Sequence, residues 1–140
     1  MEATLILWPV LAQIFLTLFL FLLLGLRKTK AIKTGSVDRQ KTALHNHAWP
    51  DDVLKVSNNI QNQFQTPVLF YILSLLFLVL DSVSVGVLFF AWTYIITRLI
   101  HAYVHVGENY VPVRFKVFIV GSLCLTILSV ILVLTLSGVL

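Results

Sequence analysis

Charge is what this chain has least of. Acidic residues number six in 140, and the chain is 11% charged and 59% hydrophobic. A soluble domain averages about 25% charged residues. The scarcity excludes an ordinary soluble fold and indicates an integral, multi-pass membrane protein. No acid falls within residues 5–26, which argues against a four-helix proton-coupled exporter, whose chemistry needs a carboxylate inside its first helix. Cys124 is the single cysteine, so an intrachain disulfide is excluded. A thiol amid apolar residues is a packing group rather than a nucleophile. Internal repeats are absent.

Long apolar runs take the place of charge. Four are readable, at about residues 5–26, 66–80, 85–106 and 117–139. A hydrocarbon core of ~30 Å needs about 20 helical residues. The second run is short, but a polar helical lead-in from Val53 to Gln65 extends it. The expected architecture is all-α: a four-transmembrane-helix antiparallel bundle, with helices at about 5–26, 53–80, 85–107 and 112–138. These form one membrane domain over residues 1–140, with no room for a separate soluble domain. A cleaved leader is not expected, because Arg27, Lys28, Lys30 and Lys33 follow the first apolar run instead of preceding it.

The basic residues are sided. Every Lys and Arg lies near the connection between the first two helices or near the turn between the last two. Only Glu2 and Asp81 mark the other side. The positive-inside rule puts both basic loops in the cytoplasm and both termini outside. The net charge of +4 follows from that topology and needs no nucleic-acid partner. Bilayer lipids are the expected surroundings, and the basic side would attract anionic headgroups or substrates.

Ionisable groups within a bilayer are costly and mark function by default. Arg98, His101, His105 and Glu108 fall within an arc of roughly 80° on one helix, with Tyr94 on the same face. Asn58, Gln61, Asn62 and Gln65 share an arc of roughly 100° on the second helix. Pro67 follows that row, Pro50 marks the break before it, and Asp51 or Asp52 is the expected N-cap. Gly107 is a candidate C-cap, and Pro112 suits the first turn of the fourth helix. Gly121, Ser122, Thr126 and Ser129 permit close helix packing.

Each polar group also has a structural reading. Arg98 is either a snorkelling arginine or an anion clamp or buried ion pair. His101 and His105 stand at i, i+4, a spacing that can hold a metal. A site needs three or four ligands, and His45 and His47 lie on a loop, so no metal is expected. The amides are either a water-bathed helix extension or a ring of donors for a polar ligand. Arg114 is either an interfacial arginine or an anion site, where a guanidinium and a helix N-terminus both favour a thiolate.

Arg98-Leu-Ile-His101, followed by His105, Gly107, Pro112 and Arg114, resembles the helix 3–helix 4 segment of the membrane-associated proteins in eicosanoid and glutathione metabolism (MAPEG). Asn62-Gln-Phe-Gln65-Thr-Pro67 is similar to that family's Asn-x-x-Glu motif. The resemblance covers nearly the whole chain and points to the small, mostly bacterial branch. It implies a homotrimer in the bacterial inner membrane that binds glutathione between subunits near the cytoplasmic side. It assigns thiolate stabilisation to Arg114. Glutathione contacts map onto Arg98, His101, His105, Asn62, Gln65 and Asn58, and onto Arg27 of the neighbouring subunit.

The chain departs from the family where Gln65 replaces a glutamate, Asn58 an arginine, and His105 and Phe118 tyrosines. Losing a partner for a charged group costs ~1.5–3 kcal/mol. The function the resemblance implies is a membrane-bound glutathione-dependent transferase or peroxidase acting on hydrophobic substrates. The alternative is a non-enzymatic member of the fold that binds lipid or a partner.

Overall fold

The computed structural model describes residues 2–139. Every regular element among them is helical. A 3-10 turn, Ala3–Ile6, runs into α1, Leu7–Lys33. This helix does not stop near Leu26, because nothing before Gly35 breaks it. Its 27 residues reach ~40 Å at 1.5 Å each, against a ~30 Å hydrocarbon core. Gly35, at φ +68°, ends it. The Ser36 amide donates to Ala31 O at 3.2 Å and the Gly35 amide to Ile32 O at 3.1 Å, the paired bonds of a glycine-terminated helix.

The connection that follows carries a six-residue helix, α2, Arg39–Leu44. The Asp38 side chain caps it by accepting from the Gln40 amide at 2.9 Å. The next span is broken in two, α3, Asp51–Gln63, and α4, Thr66–Val79. Pro50, not an aspartate, occupies the N-cap of α3. Asp51 and Asp52 lie in its first turn, where negative charge suits the helix dipole. The break falls at Phe64–Gln65, just before Pro67, whose missing N–H cannot bond back to residue 63.

Helix α5, Val85–Val106, is capped by Ser84, whose hydroxyl accepts from the Val87 amide at 3.3 Å. Helix α6, Val111–Leu136, starts with Pro112 in its first turn. Four spans long and apolar enough to cross a membrane result: Ala3–Lys33, Asp51–Val79, Val85–Val106 and Val111–Leu136. Their outer faces carry Trp8, Phe15, Phe19, Val79 and Phe115, all exposed, as a lipid-facing surface requires.

Among the described residues, the larger of two core clusters lies between α4, α5 and α6; the other, Leu16, Leu20, Val56, Ile60 and Ala102, joins α1, α3 and α5. Phe70, Phe77, Val87, Ala91, Tyr94 and Leu128 are buried in the larger one. Phe70 and Tyr94 stack at 4.8 Å, and the Tyr94 hydroxyl meets Thr66 Oγ1 at 3.2 Å. Cys124 is a buried free thiol in the same cluster. Of the four small residues on α6, only Gly121 is buried in the contact with α5. A Cβ there would stand 2.7 Å from Thr97 Oγ1 and 3.6 Å from Tyr94 Cδ2. Thr97 cannot yield easily, because its hydroxyl donates to Tyr94 O at 2.6 Å.

Gly121→Ala is therefore expected to lower stability by about 1–3 kcal/mol, read as a lower melting temperature in detergent. Adding Thr97→Ala should restore most of the loss. An unchanged melting temperature for the single variant would show that the helices do not touch at this point.

Candidate functional site

The α3–α4 break, the polar face of α5 and the first turns of α6 converge at one end of the bundle. Arg98 is 2% exposed. Its Nη2 donates to Asn62 O at 3.4 Å, a carbonyl in the last turn of α3 that also accepts from the Gln65 amide at 3.4 Å. Its Nε has no partner. Thus Arg98 is not a snorkelling side chain. It reaches across to the break, and the contacts it makes are with backbone rather than carboxylate.

His101 and His105 are buried on the next two turns, with ring centroids 5.6 Å apart and planes at 85°. His105 Nδ1 lies 3.4 Å from Asn62 Nδ2, and His101 Nδ1 has no partner. Glu108 does not continue the row. Helix α5 ends at Val106, and Glu108 is exposed in the following turn. Among the described residues, no three His, Cys, Asp or Glu side chains gather as metal ligands.

Arg114 is half-buried in the first turn of α6. Its Nη1 donates to Asn109 Oδ1, and Asn109 holds a left-handed turn at φ +59°. Its Nε has no partner. One to two turns further along α6, Val117, Phe118 and Gly121 close against Arg98 and His101, leaving a gap too narrow to admit a water molecule. This gap itself therefore holds no ligand.

The amide row of α3 divides. Asn62 is half-buried and joins Arg98 and His105, whereas Asn58, Gln61 and Gln65 are exposed. The inward amides are Asn59 and Gln63, which the sequence reading missed. Gln13 Nε2 donates to Gln63 Oε1 at 2.8 Å, Gln63 Nε2 to Asn59 Oδ1 at 2.8 Å, and Asn59 Nδ2 to Ala102 O at 3.1 Å. All three side chains are buried, and the chain of bonds ties α1, α3 and α5 together. Gln13 was the legible signal, a lone amide inside an apolar run.

Arg27 does not reach the Arg98 cluster. Its guanidinium donates to Asp52 O at 2.6 Å and contacts Val106 O at 3.5 Å. Lys55 Nζ donates to Gly107 O at 2.9 Å. The two cations thereby satisfy carbonyls at the C-terminus of α5, where the dipole favours them. These contacts also place both basic connections at one end of the bundle.

Two clefts flank this end. One, of about 340 Å³, runs between α4 and α6 past the hydroxyls of Thr66, Ser122, Thr126 and Ser129. It adjoins the Arg98–His101 gap, because Thr66 and Ser122 line both. The other, of about 740 Å³, is an apolar trough between α1 and α5 that ends at Arg27.

The fold defines a polytopic helical membrane protein with a cluster of arginines and histidines at one bundle end. Comparison with protein families matches the MAPEG family over residues 5–134, nearly the full chain. The chain belongs to the MAPEG family, membrane proteins of glutathione and eicosanoid metabolism. Neither the curated proteins nor the solved structures contain a match.

Proposed function

We propose that this protein is a membrane-bound glutathione-dependent transferase or peroxidase acting on hydrophobic substrates, with Arg114 stabilising the glutathione thiolate. The single observation that carries this reading is the state of Arg114. It stands half-buried in the first turn of a membrane helix, held by a neutral amide, with Nε unpartnered. No carboxylate neutralises it through that bond, so an incoming anion would face a guanidinium and a helix N-terminus together.

Glutathione would lie on the protomer surface, since the gap beside Arg98 admits nothing. Asn58 and Gln65 are exposed there and would contribute amide contacts. Arg98, His101, His105 and Asn62 would form the wall behind it. A site of this kind is completed by a second subunit, in keeping with a homotrimer in which a neighbour's Arg27 adds a cation. The α4–α6 cleft offers a hydrophobic electrophile a lateral path from the lipid to the same place. Both basic connections would face the cytoplasm, with the termini outside, in a bacterial inner membrane. The whole chain would act as a single membrane domain.

Calorimetry of the purified protein with millimolar glutathione tests this directly. Binding that Arg114→Ala removes supports the proposal, and no heat at any concentration overturns it. A second variant probes the missing acid. Gln65→Glu would restore a carboxylate for the glutathione amine, and a charge-assisted bond of ~1.5–3 kcal/mol should tighten binding by about ten-fold or more. An unchanged dissociation constant would place Gln65 outside the site.

The lost acid and the apolar trough at Arg27 favour a second reading, a non-enzymatic lipid-binding member of the fold. Lipid retained through purification, with no heat from glutathione, would select it.

A further inference from the structure

We infer that the trough between α1 and α5 is a site for an anionic phospholipid, with an acyl chain against the two helices and the phosphate at Arg27. The trough measures about 740 Å³, and its walls are apolar, from Phe15 and Phe19 on α1 to Leu99, Tyr103 and Val106 on α5. Arg27 is its one charged lining residue. From Ala12 to Arg27 the α1 wall runs ~22 Å at 1.5 Å per residue, the reach of a long fatty acyl chain. Phe15, Phe19 and Tyr103 are 65%, 59% and 83% exposed, so the walls lie open to whatever fills them.

Charge selects the occupant's head. Arg27 spends hydrogen bonds on two backbone carbonyls, Asp52 O and Val106 O, and a guanidinium offers five N–H donors. Lys55 stands beside it, bonded to Gly107 O at the rim. Lys28, on the next residue, lies 4.8 Å over the Trp49 ring, an arrangement suited to the headgroup layer. The nearby acids, Asp52 and Glu108, have exposed side chains. A zwitterionic lipid would fill the walls equally well and bring the same phosphate, but would add an ammonium cation beside Arg27, Lys55 and Lys28 and so carry no net charge to match them. A phosphatidylglycerol-type lipid fills both parts of the site. This inference uses neither Arg114 nor the α5 row, but it shares Arg27 with the glutathione reading, so the two are separated by the Arg114 variant.

The test is native mass spectrometry of delipidated full-length protein in detergent, titrated with dioleoyl phosphatidylglycerol and with dioleoyl phosphatidylcholine. Phosphatidylglycerol should bind more tightly by about five-fold or more, because it alone brings net negative charge to the basic residues. Arg27→Gln should remove that preference, and Leu99→Trp, which fills the trough from an exposed position, should weaken both lipids. Arg39→Gln, a charge change on α2, should leave the preference intact.

Equal binding of the two lipids by the wild type overturns the inference. So does an Arg39→Gln effect as large as that of Arg27→Gln, which would show a diffuse basic surface. A Leu99→Trp variant that changes subunit number while retaining phosphatidylglycerol would show that a second copy covers the trough instead. Should Arg27→Gln fail to fold, the wild-type comparison and Leu99→Trp still decide. Glutathione titration of the same samples separates the two accounts, because lipid preference should survive Arg114→Ala.

Discussion

Arg114→Ala should lower kcat/KM for glutathione conjugation by about a hundred-fold or more, with the helical content and subunit number unchanged. The magnitude is that of removing one preorganised donor from a developing anion. Structural damage should be small. Arg114 is half-buried at a helix start, and the partner it releases is Asn109 Oδ1 in a turn. Arg114→Lys is the informative companion. A lysine restores the charge but not the planar fork that can hold Asn109 and a ligand together. It should recover part of the thiolate ionisation and, with it, part of the activity. Activity of Arg114→Ala equal to the wild type would remove the arginine from the chemistry.

Gln63→Leu should be the most damaging conservative change in the bundle. It deprives Gln13 Nε2 of its acceptor and Asn59 Oδ1 of its donor in one step. Both stranded groups are 0% exposed, and each buried unsatisfied group costs about 1–3 kcal/mol. Pairs within membranes fall at the low end of such ranges, so a loss of about 2 kcal/mol or more is expected. The measurement is unfolding by denaturing detergent, followed by circular dichroism.

The triple variant Gln13→Leu, Asn59→Leu, Gln63→Leu should be more stable than Gln63→Leu alone, because no amide is then left without a partner. If instead the triple is the worst of the set, the amides contribute direct attraction rather than mutual satisfaction.

The two α3 faces show how far the chain could be read in advance. Val53, Val56 and Ile60 recur at helical spacing and are all buried, which fixes the inward side of α3. At 100° per residue Gln63 lies about 20° from Val56, and Asn59 about 60° from it. Asn58, Gln61, Asn62 and Gln65 fall on the far side. A reading that grouped amides with each other, instead of with the apolar residues, chose the outward row. Only Asn62, at the edge of that row, meets Arg98 and His105.

The α5 row was legible because cost singles it out. Arg98, His101 and His105 are polar groups in a lipid-soluble segment, and all three are buried. Glu108 shared their arc but not their helix. The chain turns at Gly107, so angular position no longer applies. The length of α1 was misjudged by equating the apolar run with the helix. Lysines and threonine are good enough helix residues to continue it to Gly35. The α2 helix is too short to show a period, and only the Asp38 cap announces it.

The most direct measurement of the central claim is the ultraviolet absorbance of the glutathione thiolate, titrated with pH in the presence of the wild-type protein. A free thiol ionises near pH 8.5, and a cation at a helix N-terminus can bring it below ~7. The account predicts bound thiolate at pH 7 that disappears in Arg114→Ala. Glutathione that titrates in the protein's presence as it does in free solution would contradict it.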